Sequence, residues 1–369
     1  MRAADPRIST AVTAVTRPPL RPIFANLALV GVAGTLALCA LEGLLRLVHD
    51  PAPEQEQRLR RLGASPFLEA ARGGLRRLKP DHSWGIRYPS DERGYFLPGN
   101  VVRYQTNAEG FRDRPFDDDP SSLRIALLGD SFAFGLGVHL GDTAAVLLEG
   151  LLGASHPCPV EIYNFAVPGT ATHEHVRLLE DSALKHEPDM ILLWYFLNDV
   201  EAGPTLSYLG ADEPPGVLAS WRRVSALARF IGTRIDSRRL ARHLVQDYTR
   251  AYRPTGERWQ VMVASLRRIA DIARRRDIPA VLAVHPILHD LDRGYPFADI
   301  HRRVLTAARA FGFAAFDLRP AFRGYNATSL WVHPIDQHPN ELAQRLAAEH
   351  AAARLRTLLP PCRPTPSGR

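Results

Sequence analysis

A serine delivered by a short apolar run is a place where a nucleophile can stand. This chain has one at Gly129-Asp130-Ser131-Phe132, directly after Arg124-Ile-Ala-Leu-Leu128. The run reads as a buried strand, and the pattern from about Phe132 onward reads as a helix. In open parallel sheets, catalytic groups gather outside the carboxyl ends of strands. Ser131 is therefore expected to face substrate rather than the core. A serine hydroxyl needs a base before it is nucleophilic at neutral pH, and His338 is the choice for that base. It opens a helix-like stretch, with Pro339 suited to a first-turn position, and a loop–helix boundary lets its ring reach across to the first strand's end. Asp336 would orient the ring. His333 is the nearer rival; His285, ending a strand before Pro286, reads as a structural histidine. The chemistry of such a set is acyl transfer through the serine.

Three further blocks follow Ser131 in order: Asn164-Phe-Ala-Val-Pro-Gly169, Phe196-Leu-Asn198-Asp199 and Asp336-Gln-His338-Pro-Asn340. With the first, they resemble the four conserved blocks of the SGNH/GDSL hydrolase superfamily, over roughly Ser122 to Leu358. The resemblance implies Ser131 as nucleophile and Asp336 with His338 as its acid–base pair. It implies an oxyanion hole from the N–H groups of Ser131 and Gly169 and the side-chain amide of Asn198. No cofactor and no metal are expected. Two departures stand out. The family's common Asp-x-x-His is shortened to Asp336-Gln-His338, which a bending loop accommodates but a strict helix or strand is not expected to. Phe196 stands where the family carries a glycine, which bears on the local backbone path. Asp130 and Asp199 are expected to bond loop backbone.

The implied activity is an esterase that hydrolyses ester-linked acyl groups through an acyl-serine, with O-acetyl groups on envelope glycans as the substrate class that its location suggests. An O-acyltransferase on the same triad, or a non-catalytic glycan-binding scaffold of this fold, are the alternatives.

The elements that must position these residues alternate. Runs at Ile125–Leu128, Val160–Val167, Met190–Leu197, Ala280–Val284 and Phe313–Phe316 read as five parallel strands. Helical patterns lie near Thr143–Leu152, His173–His186, Arg258–Arg276, Asp299–Phe311 and from Asn340 to Leu358. This predicts a three-layer α/β/α sandwich with a doubly wound, flavodoxin-like sheet over residues 121–358. Residues 200–257 are expected to form an inserted cap, mostly helical from Trp221 to Tyr252. Residues 48–120, rich in proline, read as a linker and extension. A helix is expected within Glu54 to Leu78, and short strands or turns beyond it, with the Asn107-x-x-Gly110-Phe111-Arg112 stretch as an ordered turn without chemistry. The tail, 359–369, reads as disordered.

At the N-terminus, Pro22 to Leu41 carries no charged side chain, and twenty helical residues span about 30 Å, the thickness of a bilayer core. Arg2, Arg7, Arg17 and Arg21 precede it against one acid, Asp5. The positive-inside rule then keeps residues 1–21 in the cytoplasm and sends the rest across. Residues 22–47 are expected to be a retained anchor, since Ala37-Leu-Cys39 makes a poor cleavage site.

Composition excludes other classes. Of 369 residues, 46% are hydrophobic and 23% charged, as in a folded protein. The formal charge of +7 is carried by arginines spread beside acids, with Lys79 and Lys185 the only lysines. Without basic–aromatic interleaving, a nucleic-acid partner is not expected. Three cysteines cannot build a disulfide framework. Cys158 and Cys362 could pair in an oxidising compartment, and the favoured reading is two unpaired thiols. His173-Glu-His175 reads as a solvated helix start, and Gly135-Leu-Gly137 lacks the rest of a dinucleotide fingerprint.

Overall fold

A computed structural model describes residues 20–49, 68–70, 76–200, 221, 224–292, 294–334 and 336–363. The expected cytoplasmic stretch before residue 20, residues 50–67, the first part of the expected cap at 201–220 and the last six residues lie outside the described residues. The chain divides into two units, Met1–Ala52 with Pro215–Ser237, and Pro53–Pro214 with Arg238–Arg369.

In the first unit, helix α1 covers Leu20–His49. Its stretch Asn26–Leu47 has a mean hydropathy of 2.0 over 22 residues, long and apolar enough to cross a membrane. Leu29, Val30 and Leu36 stand exposed along it. Near its end, Glu42 accepts bonds from Ser225 Oγ at 2.8 Å and from the Ala226 and Leu227 N–H groups at 2.8 and 2.9 Å. Those amides open the helix Ala226–Ala251 and would otherwise lack partners.

In the second unit, five parallel strands form the sheet: β5 (Leu123–Gly129), β6 (Val160–Asn164), β7 (Met190–Phe196), β8 (Ala280–His285) and β9 (Ala314–Asp317). Their spatial order, β6-β5-β7-β8-β9, is the flavodoxin-like doubly wound one. β5 and β7 are buried at every position, as strands covered on both faces must be. Helices Ala144–Gly153 and Glu341–Leu355 pack together on one side, and Thr172–Asp181, Glu257–Arg275 and Ala298–Ala310 pack in series on the other. Each apolar side chain sealed between these layers contributes about 1.5–3 kcal/mol. The sheet reverses its winding at β5, so the carboxyl ends of β5, β6 and β7 meet at a switch point.

The extension differs from expectation. The part of the Glu54–Leu78 helix that can be described is instead a pair of short antiparallel strands, β1 (Leu68–Ala70) and β2 (Arg76–Leu78). Then β3 (Ser83–Arg87) and β4 (Val101–Gln105) form a five-residue antiparallel pair. β10 (Trp331–His333) and β11 (Asp336–Pro339) form a shorter antiparallel pair.

The cysteines also correct the reading. Cys158 and Cys362 form a disulfide, with Cα atoms 5.9 Å apart, rather than two free thiols. Arg363 Nε lies 2.8 Å from Asp189 Oδ1 and its Nη2 donates to the Glu187 carbonyl. The described start of the tail is thus tied down, not disordered.

Candidate active site

The nucleophile turn is built from small contacts. A Cβ on Gly129 would stand 2.5 Å from Ala133 Cβ and 2.9 Å from the Trp194 carbonyl oxygen, so glycine alone lets β5 turn this tightly. Asp130 Oδ1 then accepts the Phe132 N–H at 2.9 Å and caps the one-turn helix Ser131–Phe134. Gly135, at φ +75°, ends it.

Facing this turn is β11. Residues i and i+2 of a strand share a face, and Asp336 and His338 do so. Asp336 Oδ1 lies 2.5 Å from His338 Nδ1, and His338 Nε2 lies 2.9 Å from Ser131 Oγ. The expectation that a strand would forbid the two-residue spacing was wrong: strand periodicity is what makes it work. The same Oδ1 accepts the His338 N–H at 3.1 Å, which pins the carboxylate to its own strand. The rival histidines go elsewhere. His333 Nε2 meets Ser90 Oγ at 3.0 Å, and His285 Nδ1 meets the Pro286 carbonyl at 2.8 Å. Burial pushes His285 down to about 3, so it stays neutral.

Charges here are coupled. Burial works against the His338 imidazolium, but Asp336 and then Asp130 outweigh it and hold its pKa above the usual histidine value. Burial likewise opposes the Asp336 charge, and the hydrogen bonds and charge of His338 overcome it, leaving that carboxyl below its usual range. Asp130, fully buried, is pushed upward by desolvation, against the bonds from Phe132, Asn198 and Ser131 that favour its charge.

The other two blocks arrive beside this centre on the neighbouring strands. Past β6, the Phe165 and Val167 N–H groups bond the Leu127 and Gly129 carbonyls at 2.9 and 3.1 Å, so the segment tracks β5 up to the serine. Gly169 follows at φ +75°, a left-handed turn that glycine enters without a steric cost. Past β7, the Asn198 amide donates to the Asp130 carboxylate. Phe196, in the glycine's place, stacks on Phe132 with centroids 3.6 Å apart. Its N–H bonds Asp199 Oδ2 at 3.0 Å, and Tyr252 Oη donates to the Leu197 carbonyl at 2.7 Å. These bonds hold the backbone path that the missing glycine put in question. Asp199 acts on the loop backbone as expected, and Asp130 on backbone and side chains together.

His173-Glu-His175 is not a solvated helix start. Glu174 caps the Ala171 N–H at 3.0 Å, and His175 is buried against Thr170 Oγ1 at 3.1 Å. Burial first, and His173 second, push His175 down to about 3. Among the described residues, one group could offer three close metal-ligand atoms, His156 with Cys158 and Cys362, and the disulfide takes two of them.

Sequence reading missed the residues behind the site. Tyr88, just after β3, donates to Asp336 Oδ2 at 2.9 Å. Arg112, from the stretch read as an idle turn, is buried and donates to the carbonyls of Phe134, Gly135 and Val138. Its guanidinium lies 4.5 Å from the Tyr104 ring centroid. Burial pulls it down to about 10, and it remains charged at neutral pH.

A doubly wound α/β body with a serine, a histidine and a carboxylate at its switch point belongs to the class of carboxylic ester hydrolases. Residues 127–346 match the GDSL-like Lipase/Acylhydrolase family, and the chain belongs to that family. No curated protein matches the sequence. Among solved structures, the chain is similar to TesA, at 16% identity and TM-score 0.41, covering 64% of this chain and 99% of that one. It is similar to the lipase/acylhydrolase from Enterococcus faecalis, at 15% identity and TM-score 0.40, covering 65% and 98%. The acetyl xylan esterase AlAXEase gives 15% and 0.40, covering 63% and 100%.

Proposed function

We propose that Ser131, His338 and Asp336 are the catalytic triad of an esterase that removes short acyl groups, O-acetyl foremost, from glycans of the cell envelope. The observation that carries this reading is the continuous line of hydrogen bonds from Asp336 through His338 to Ser131 Oγ. His338 Nε2 takes the serine proton as Oγ attacks the ester carbonyl carbon. The tetrahedral oxyanion is held by the N–H groups of Ser131 and Gly169 and by the Asn198 amide. Collapse breaks the bond to the alcohol, which leaves with the proton from Nε2. Water then repeats the sequence on the acyl-serine.

A short acyl group is supported by Phe196, which fills the place of a glycine and crowds Phe132 beside the nucleophile. An extracytoplasmic address is supported by the apolar span Asn26–Leu47, by the arginines before it and by the Cys158–Cys362 disulfide. In this reading residues 22–47 are a retained anchor. The test is a series of p-nitrophenyl esters of rising chain length, run on the whole chain in detergent beside Ser131→Ala. Turnover should be highest for acetate and fall with length. Equal turnover by Ser131→Ala sinks the triad, and a preference for long chains sinks the acyl assignment.

A further inference from the structure

Asp336 has two carboxylate oxygens, and His338 uses one. The other, Oδ2, accepts the Tyr88 hydroxyl at 2.9 Å across 248 residues of chain. Tyr88 is buried, and two rings pack against its own. Phe96 stacks on it with centroids 4.5 Å apart, and the His333 ring lies 5.8 Å away. Behind it stands Tyr104, also buried. The Gly137 N–H donates to the Tyr104 oxygen at 2.8 Å. A carboxylate cannot donate, so Tyr88 gives its proton to Asp336.

Resting on the triad reading above, we propose that Tyr88 is a positioning residue for the acid–base pair. It holds the free oxygen of Asp336 so that the shortened Asp-x-His strand presents the imidazole to Ser131 at a fixed angle. Tyr88 and Tyr104 lie outside the segment that matches the family, which ends at residue 127 on its N-terminal side. The extension is therefore part of the working site and not a linker. The charged and titratable groups around the Tyr88–Asp336 bond are His338 and His333 from the β10–β11 corner, Asp130 from the nucleophile turn, and Tyr104 and Arg112 from the extension.

The test is Tyr88→Phe in the whole chain, assayed with p-nitrophenyl acetate across pH beside Ser131→Ala. Losing the donor should lower kcat about 10- to 100-fold, the worth of a hydrogen bond to a charged group, with KM little changed. The carboxylate also becomes more basic and favours the imidazolium, so the acidic limb of kcat/KM should move to higher pH. In an Asp336→Ala background the same substitution should cost almost nothing, because its target is gone. A wild-type kcat and limb in Tyr88→Phe, with Ser131→Ala inactive, overturns the positioning role and leaves the triad standing. So does an equal loss in the Asp336→Ala background, which a merely structural tyrosine would give. An active Ser131→Ala instead removes the triad itself. Should Tyr88→Phe not fold, 3-fluorotyrosine placed at residue 88 serves: its more acidic hydroxyl is a stronger donor to Asp336, so the limb should move to lower pH, and an unmoved limb overturns the proposal.

Discussion

Two carboxylate–imidazole–hydroxyl relays stand in the same α/β body, and they differ at the hydroxyl. In one, Asp336 holds His338, whose Nε2 is 2.9 Å from Ser131 Oγ. In the other, Asp317 Oδ1 holds His301 Nδ1 at 2.9 Å, and His301 Nε2 meets the Tyr295 hydroxyl at 3.0 Å. Residue types and distances are nearly matched. However, the Tyr295 oxygen also accepts the Ile287 N–H at 3.0 Å, and its ring lies 5.2 Å from the Arg319 guanidinium. It ties the helix Ala298–Ala310 to the segment after β8. Ser131 Oγ has the Asp130 carboxylate at 3.3 Å as its other neighbour, an acceptor and not a donor. It sits where three strand ends meet. A relay is thus a positioning device in both places. What separates the two is what else the oxygen holds: Tyr295 accepts a backbone N–H, whereas the other neighbour of Ser131 Oγ is a carboxylate.

The sharpest way to break this comparison is to cut both relays and assay esterase activity. Ser131→Ala and His338→Ala should each lower kcat/KM on the order of 10⁵-fold, and the two together should cost little more than either, because the residues act as a unit. Asp336→Ala should cost less than either. Asn198→Ala should cost about 100- to 1,000-fold, the usual loss for one oxyanion donor. Should Asn198→Ala leave turnover unchanged, the donor set beside Ser131 is misassigned, and the two relays are more alike than their surroundings suggest.

The pH profile sharpens it further. In the proposed triad His338 acts only as neutral imidazole, and Asp336 and Asp130 hold its pKa above the ordinary histidine value. The acidic limb of kcat/KM should therefore lie above about 6.5, the unperturbed value. Asp130→Asn removes one of those negative charges, and its limb should fall. A wild-type limb well below the ordinary histidine value would mean that desolvation wins over the two carboxylates.

How much of this was legible in the sequence follows from distance along the chain. The five strands and the helices between them could be read because burial on both faces leaves near-continuous apolar runs, as in Met190–Phe196. The four short blocks could be read in order because each is local. Tyr88 could not, since its partner is 248 residues away and a tyrosine before Pro89 has no pattern of its own. Arg112 looked idle for the same reason: its three carbonyl partners lie on the loop after the serine. The disulfide needed the tail to return beside β6, which spacing cannot show. The Asp-x-His strand was misjudged by a different route, by weighing the family's usual spacing above the two-residue period of a strand.

The smallest expected effect belongs to the second relay, and it is the most discriminating. Tyr295→Phe removes one oxygen from a buried network in which that oxygen joins His301 and the Ile287 N–H. The amide is left without its acceptor and His301 Nε2 without its donor, a cost of about 1–3 kcal/mol for buried groups. For a body of this size, each kcal/mol lowers Tm by roughly 2–4 °C. Activity should stay within about twofold of wild type, because no group at Ser131 moves when helix Ala298–Ala310 loses one tether. Thermal melts and p-nitrophenyl acetate turnover on the same preparation decide it. A Tyr295→Phe protein that melts normally but loses most of its turnover would show that the second relay reaches the first, and that two sites read here as one catalytic and one structural are a single coupled network.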